Sequence, residues 1–326
     1  MSLAHQPGAR GALARFFRRT YVAELVALGL VAAAFALIQV FVTPFHRVFY
    51  LDDMSIQYPF TKFERVPLLW SIVYSAVFPV VCLIAWSIVF RPSAYKFHIT
   101  LLAQIASLMT TPLITDIIKN TVGRPRPDLI SRCRPQRGTP DHELLTISIC
   151  TQTNEHLLQE GWRSFPSGHS SLAFAGLGFL TLFLAGQMRV FRPKADLGRC
   201  LLAFAPTIGA LMIAISRLGD YRHDVWDVSA GAILGSLIAY STYRRYYPAL
   251  SDLHCDTPYE HADDAASYAA EGFSRLPNDE ERALGQDELQ PPRKSIRESR
   301  DQGHRQGSWE NPETIPLNEA ASSQGR

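Results

Sequence analysis

Three short segments carry side chains suited to one reaction. Lys119 to Pro127 reads KNTVGRPRP, Pro166 to His169 reads PSGH, and Ser216 to Asp227 reads SRLGDYRHDVWD. They contain the cations Lys119, Arg126 and Arg217, the histidines His169 and His223, and the carboxylate Asp227. Lysine supplies a compact charge and arginine a planar fork of donors, a pairing suited to gripping a phosphoryl group. An imidazole whose Nδ1 proton goes to a carboxylate keeps Nε2 free as a nucleophile. The set therefore points to a phosphate ester as substrate and a histidine as attacker.

Each segment also admits a plainer explanation. Gly123, Pro125 and Pro127 cannot continue a helix, so the chain must turn just after Lys119 and keep Lys119 and Arg126 near one place. Asp116, three residues before Lys119, leaves open a helix-end ion pair with snorkelling cations. Ser167 can cap the helix that follows it, Gly168 lets backbone approach a ligand, and the helix N-terminus offers free N–H groups to an anion beside His169. A capped helix with an interfacial histidine explains the same residues. Asp227 follows His223 by four residues, a spacing that puts both on one helix face, but an Asp at a helix start is also a good cap. A metal held by His169, His223 and Asp227 is the weaker alternative, because the surrounding cations repel a divalent ion. No metal or other cofactor is expected.

The elements that position these residues are apolar spans. The 326-residue chain is 47% hydrophobic, unevenly distributed. Stretches near the length of about 20 residues that crosses a bilayer run from Tyr21 to Val42, Pro67 to Phe90, His98 to Ile118, Ser170 to Ala185, Cys200 to Ser216 and Val225 to Tyr240. The spans predict an all-α integral membrane protein, a bundle of six transmembrane helices. The first is too long for a cleaved leader and has no small-residue cleavage site after it, so it reads as an anchor. Pro248 to Arg326 is rich in charged residues, Gln, Ser and Pro, cannot bury a core, and reads as a disordered tail. The expected organisation is a cytoplasmic segment over 1–20, a membrane domain over 21–247 and a cytoplasmic tail over 248–326. The net charge of +2 averages unlike parts and argues for no nucleic-acid partner.

Basic residues orient the bundle. Arg15, Arg18 and Arg19, then Arg91 and Lys96, then Arg189, Arg192, Lys194 and Arg199, and finally Arg244 and Arg245 lie in alternate connections, which predicts both termini on the cytoplasmic side. All three chemical segments then fall on the opposite, outer or lumenal face. The loop from Lys119 to Arg163 is basic despite its parity, as it would be if its cations bind an anion. That side is oxidising, so Cys133 and Cys150, which share the loop, could pair. No Asn-x-Ser/Thr sequon occurs to report the topology by glycosylation.

KNTVGRPRP, SFPSGHSS and SRLGDYRHDVWD together resemble the three signature segments of the type 2 phosphatidic acid phosphatase superfamily, the integral-membrane lipid phosphate phosphatases, whose pattern is K-x6-RP, PSGH and SR-x5-H-x3-D. Every specified position is filled. The resemblance spans Val22 to Tyr246, and Phe49 to Phe60 is similar to a segment of fungal diacylglycerol pyrophosphate phosphatase-like members. It implies that His223 attacks phosphorus, Asp227 orients it, and His169 protonates the leaving alkoxide and later activates water. Lys119, Arg126, Ser167, Gly168 and Arg217 would hold the phosphate, without a metal. Asp224 departs from the frequent pattern, in which a second His follows the nucleophile; an altered pH dependence with activity retained is expected.

The implied substrates are phosphatidate, diacylglycerol pyrophosphate or lysophosphatidate in the bilayer, with no obligate protein partner. Polyprenyl pyrophosphates and sphingoid-base phosphates are alternatives on the same chemistry, and a catalytically silent lipid-binding relative is the alternative of another class. Soluble vanadate-dependent haloperoxidases share a similar anion site, but the apolar spans argue against them. In the tail, Ser295 and Ser299 sit among basic residues, a context open to phosphorylation.

Overall fold

A computed structural model of the chain describes residues 21–193 and 195–259. The expectations for Arg15, Arg18, Arg19, Lys194, Ser295, Ser299 and the tail beyond residue 259 lie outside the described residues. Among the described residues there is no strand, only isolated bridges between Phe49 and Leu145 and between Pro135 and Cys150. The long helices are α1 (Val22–Phe41), α2 (Leu68–Phe90) and α3 (Ala94–Val122). Two short helices, α4 (Leu129–Cys133) and α5 (Glu155–Gln159), precede α6 (Gly168–Gln187), α7 (Leu197–Gly219) and α8 (Val225–Tyr246).

Five of these, α1, α2, α3, α6 and α7, are long and apolar enough to cross a membrane, so this is a multi-pass membrane protein. Helix α8 has 22 residues but carries Asp227, Arg244 and Arg245, and is not one of the five. Several helices overrun the expected spans: α3 extends past His98 to Ile118 at both ends, and α8 runs to Tyr246. Hydropathy marks only the apolar stretch, whereas backbone hydrogen bonding carries a helix on through Lys96, Lys119 or Arg244. In α2, Pro79 has no N–H for the Ser75 carbonyl, and a π turn over Val73–Val77 absorbs the distortion.

Helix α6 is the axis of the bundle. It packs against α8, α7 and α3, and buries Ala173, Leu177, Phe179, Leu180 and Phe183. Apolar residues elsewhere face outward: α1 buries no residue, and Leu25, Val26, Leu30 and Leu37 are exposed, as lipid contact requires.

Two features set the helix register near the motifs. Thr100, Gln104, Ser107, Thr111, Thr115 and Lys119 recur at three- and four-residue spacing and are all buried. Along this stripe Gln104 donates to the Gly176 carbonyl (3.3 Å), Ser107 to the Ala175 carbonyl (3.1 Å), and the Thr115 hydroxyl meets that of Ser171 (2.9 Å). Such interhelical bonds contribute about 0.6 kcal/mol each in a membrane, and they fix Lys119 beside the N-terminus of α6. On the other side, Gly231 lets α8 approach α6 closely: a Cβ there would lie 2.6 Å from the Ser167 carbonyl oxygen.

A cap covers this end of the bundle. Phe49, Ile56, Leu129, Cys133, Leu145 and Trp162 form its small core, and Trp162 donates to the Arg47 carbonyl (2.9 Å). Cys133 and Cys150 are joined by a disulfide across 17 residues, a closure that stabilises by about 3 kcal/mol in the loop-entropy account.

Residues 248–259, assigned from composition to the tail, pack on the opposite end. Cys255 is buried, Tyr259 N–H donates to the Tyr246 carbonyl (2.9 Å), and Gln187 donates to the Asp256 carbonyl (2.9 Å). Three anchors, Leu250, Cys255 and Tyr259, were diluted in the composition of the long polar stretch.

Candidate active site

The three motifs meet at the capped end of the bundle. Gly123 ends α3 with φ of 56°, a left-handed turn, and a Cβ there would collide with the Phe45 carbonyl oxygen. The chain then runs beside the segment preceding PSGH: Arg126 N–H donates to the Gly161 carbonyl (2.8 Å) and Ser164 N–H to the Arg124 carbonyl (3.2 Å). The first motif is thereby tied to the second. The second is tied to the third by Ser167 N–H donating to the Asp227 carbonyl (2.9 Å) and Ser170 Oγ to the Val228 carbonyl (2.7 Å).

A cavity of about 1090 Å³ opens at this junction, and Lys119, Arg126, Gly168, His169, Arg217 and His223 all line it. Part of its wall is apolar and comes from the long helices: Phe35 of α1, Leu68 and Ile72 of α2, Leu108 and Met109 of α3, Leu172 of α6. One space thus joins a cationic head to a hydrocarbon-lined groove. His169 Nε2 is buried and has no hydrogen-bond partner among the described residues. Lys119 Nζ donates to the Arg163 carbonyl (2.8 Å).

Of the expected site residues, Asp227 does not line the cavity, and neither does Ser167. Ser167 is buried, and its hydroxyl caps α6 by accepting from Ser170 N–H (3.5 Å). The capping geometry is thus present.

His223 and Asp227 are together, but not as helix-face neighbours. His223 lies one residue before the N-cap of α8, which is Asp224, and Asp227 closes a capping box by accepting from Asp224 N–H (3.1 Å). The i,i+4 spacing is therefore a capping geometry. Asp227 Oδ2 stands 3.7 Å from His223 Nδ1, an ion-pair distance rather than a hydrogen bond. Ser164 Oγ donates to that oxygen at 2.5 Å and lies 3.5 Å from Nδ1, while Arg124 donates to Oδ1 at 2.7 Å. Asp227 itself is fully buried. Burial holds the His223 imidazole well below its ordinary pKa; Asp227 pulls it up, and Arg126 and Lys119 push it further down. The net downward shift favours the neutral ring, the form that can attack.

Several site residues escaped the sequence reading. Arg124 bridges Asp227 and Asp224 (2.9 Å), Glu160 pairs with Arg126 (2.9 Å) and Arg163 (3.2 Å), and Glu64 pairs with Arg217 (2.8 Å) and Arg222 (2.9 Å). Burial would raise the Glu160 carboxyl, but Arg126, Lys119 and Arg163 outweigh it and hold the group well below the usual carboxylate range. Arg124 had a visible signal in the Arg-Pro-Arg-Pro repeat; Glu64 and Glu160 had none, since only folding brings their loops here.

Residues 100–250 match the PAP2 superfamily. The chain is 38% identical over 242 residues to the probable diacylglycerol pyrophosphate phosphatase 1 of Schizosaccharomyces pombe, covering 74% of this chain and 85% of that protein. It belongs to the PAP2 superfamily. Diacylglycerol pyrophosphate phosphatase 1 of Saccharomyces cerevisiae is 39% identical over 241 residues, 73% of this chain and 83% of its own length. Lipid phosphate phosphatase 2 of Arabidopsis thaliana is 37% identical over 212 residues, 64% and 71% respectively. No solved structure matches the chain. In this PAP2 chain the family pattern and the cavity lining coincide at Lys119, Arg126, Gly168, His169, Arg217 and His223.

Proposed function

We propose that this chain is a lipid phosphate phosphatase that hydrolyses phosphatidate, diacylglycerol pyrophosphate or lysophosphatidate through a phosphohistidine, without a metal. The observation that carries the reading is the single cavity in which the motif cations and both histidines adjoin a groove lined by Phe35, Leu68, Ile72, Leu108 and Met109. An amphipathic ester with an anionic head and acyl chains suits that division. A soluble phosphate ester would leave the groove unfilled.

In this mechanism Lys119, Arg126, Arg217 and the backbone at Gly168 hold the phosphate oxygens. His223 Nε2 attacks phosphorus, the bond to the lipid oxygen breaks with its electron pair on that oxygen, and His169 supplies the proton. Asp227, braced by Arg124 and Ser164, balances the positive charge that His223 acquires. Water then gives a proton to His169 and attacks phosphorus, and the P–N bond breaks to release phosphate and restore the imidazole. The cations stabilise the charge on the transferring phosphoryl group that a divalent ion would otherwise meet.

The proposed topology counts α8 as a sixth span, with both termini cytoplasmic and the site facing the exterior or lumen. The alternation of basic loops supports it, as does the clustering of all three motifs at one end of the bundle. The membrane domain then extends over 21–259, and the cytoplasmic tail begins after it.

The test is an assay of purified protein in mixed micelles with EDTA, against phosphatidate, lysophosphatidate, diacylglycerol pyrophosphate, a sphingoid-base phosphate and a polyprenyl pyrophosphate. Phosphate release from a glycerolipid substrate, undiminished by EDTA, is expected. Inactivity on the whole panel overturns the reading, and loss of activity on chelation overturns its metal independence.

A further inference from the structure

The loop between α1 and α2 is bound to the third motif. Thr61 Oγ1 donates to the Asp220 carbonyl (3.0 Å), Arg65 N–H to the Asp220 carboxylate (3.0 Å), and Arg222 to the Thr61 carbonyl (3.0 Å). Glu64 pairs with both Arg217 and Arg222 at 2.8 and 2.9 Å, and Tyr58 stacks on Tyr221 with ring centres 4.6 Å apart. This holds Phe60, Lys62 and Glu64 in the wall of the catalytic cavity. The loop is thus a fourth component of the site, outside all three family motifs.

The cavity also holds more cations than one phosphate needs, and most are already engaged. Arg126 and Arg163 pair with Glu160, Arg217 with Glu64 and Asp220, and Arg132 and Arg222 share Asp128. Lys62 differs: it is exposed, lines the cavity and makes no hydrogen bond or ion pair among the described residues. Its amine is a positive charge with no counter-ion, two residues from the Glu64 that braces Arg217.

We infer that Lys62 and its loop form a subsite for the second phosphate of a lipid pyrophosphate, the phosphate that stays on the departing lipid. This rests on the phosphatase reading above. With such a substrate, His223 Nε2 attacks the terminal phosphorus, which Lys119, Arg126 and Arg217 hold. The bond from that phosphorus to the bridging oxygen breaks, and its electron pair stays on the phosphate still esterified to the lipid. That group gains negative charge as the bond breaks, and the Lys62 ammonium neutralises it without transferring a proton. A monoester places no phosphate there, so Lys62 discriminates between the two substrate classes.

The test compares wild type with Lys62→Met, which keeps the aliphatic stem and removes the charge, and with Lys62→Arg, using the full chain in mixed micelles. The loss of kcat/KM in Lys62→Met is expected to be about tenfold or more greater on diacylglycerol pyrophosphate than on phosphatidate, the size of one charge-assisted contact. Lys62→Arg should restore most of that difference. Inorganic pyrophosphate should compete better than orthophosphate in wild type, and Lys62→Met should narrow the gap. Equal losses on both lipids, no loss on either, or a wild type that cleaves phosphatidate and not the pyrophosphate would overturn the subsite and leave the phosphatase reading standing. A wild type inactive on every lipid phosphate would overturn both.

Discussion

Arg124 lies outside the specified family pattern, yet it pairs with the carboxylate behind the proposed nucleophile. Its guanidinium donates to Asp227 Oδ1 at 2.7 Å, while the His223 ring faces the other oxygen at 3.7 Å. The two cationic groups, when His223 is protonated, are therefore roughly 7 Å apart, and unit charges at that distance in an effective dielectric of ~20 repel by about 2 kcal/mol. Arg124 is 31% exposed, so solvent screening removes about half and leaves about 1 kcal/mol. Removing Arg124 lifts that repulsion. The imidazolium becomes easier to form, the neutral nucleophile is lost at higher pH, and the acid limb of kcat/KM moves up by just under one pH unit. The assay is the pH profile of phosphatidate hydrolysis for wild type, Arg124→Met and Arg124→Lys, in which titration of the substrate is common to all three. Arg124→Lys keeps the charge and should return the limb most of the way. A limb that stays in place in Arg124→Met, or moves down, refutes the electrostatic argument. A lower plateau with an unmoved limb would mean that Arg124 only shapes the loop.

The remaining predictions address the chemistry, the topology and the chain ends. His223→Ala should abolish turnover, and acid-labile, base-stable phosphate trapped on the wild type should be absent from it; trapping that persists would assign the nucleophile elsewhere. Asp227→Asn should keep the fold but lose at least about tenfold in rate, because the imidazolium loses its counter-charge; wild-type kinetics would remove Asp227 from the mechanism. His169→Ala should slow phosphoenzyme formation far more for phosphatidate, whose alkoxide leaves poorly, than for an aryl phosphate, and equal single-turnover losses would leave His169 only a binding role. Glu143→Cys, in the exposed part of the cap, should react with an impermeant thiol reagent in intact, correctly oriented cells or vesicles, and labelling only after permeabilisation would reverse the topology. Truncation after Tyr259 should leave specific activity within about twofold, whereas truncation after Tyr247 exposes the surface that Cys255 and Tyr259 cover and should lower the melting temperature by several degrees; indistinguishable melting would show that residues 248–259 add no stability.

The apolar stretches and the three motifs could be read from the linear chain because each is a local property. Lipid solvates every outward-facing side chain, so a span must be apolar over its length, and helix ends must turn at Gly123, Pro125 or Pro166 wherever they are placed. Lys119, Arg126, His169, Arg217 and His223 could be named for the same reason: each sits at a helix end, in a segment whose side-chain types already suit an anion. What those segments could not reveal was how the side chains divide their duties. Ser167 had two roles open to it, and only the approach of α8 at Gly231 assigns its N–H to the Asp227 carbonyl while its hydroxyl caps α6. The His223–Asp227 spacing looked like a helix face and became a capping box, because Asp224 ends the loop and starts α8 one residue after His223. Arg124, Ser164, Glu64, Glu160 and Lys62 come from connections with no periodicity and no span of their own. The places of the first four are decided by long-range hydrogen bonds and ion pairs, and that of Lys62 by the bonds of its neighbours Thr61, Glu64 and Arg65, all of which exist only once the helices have packed and the cap has closed over them.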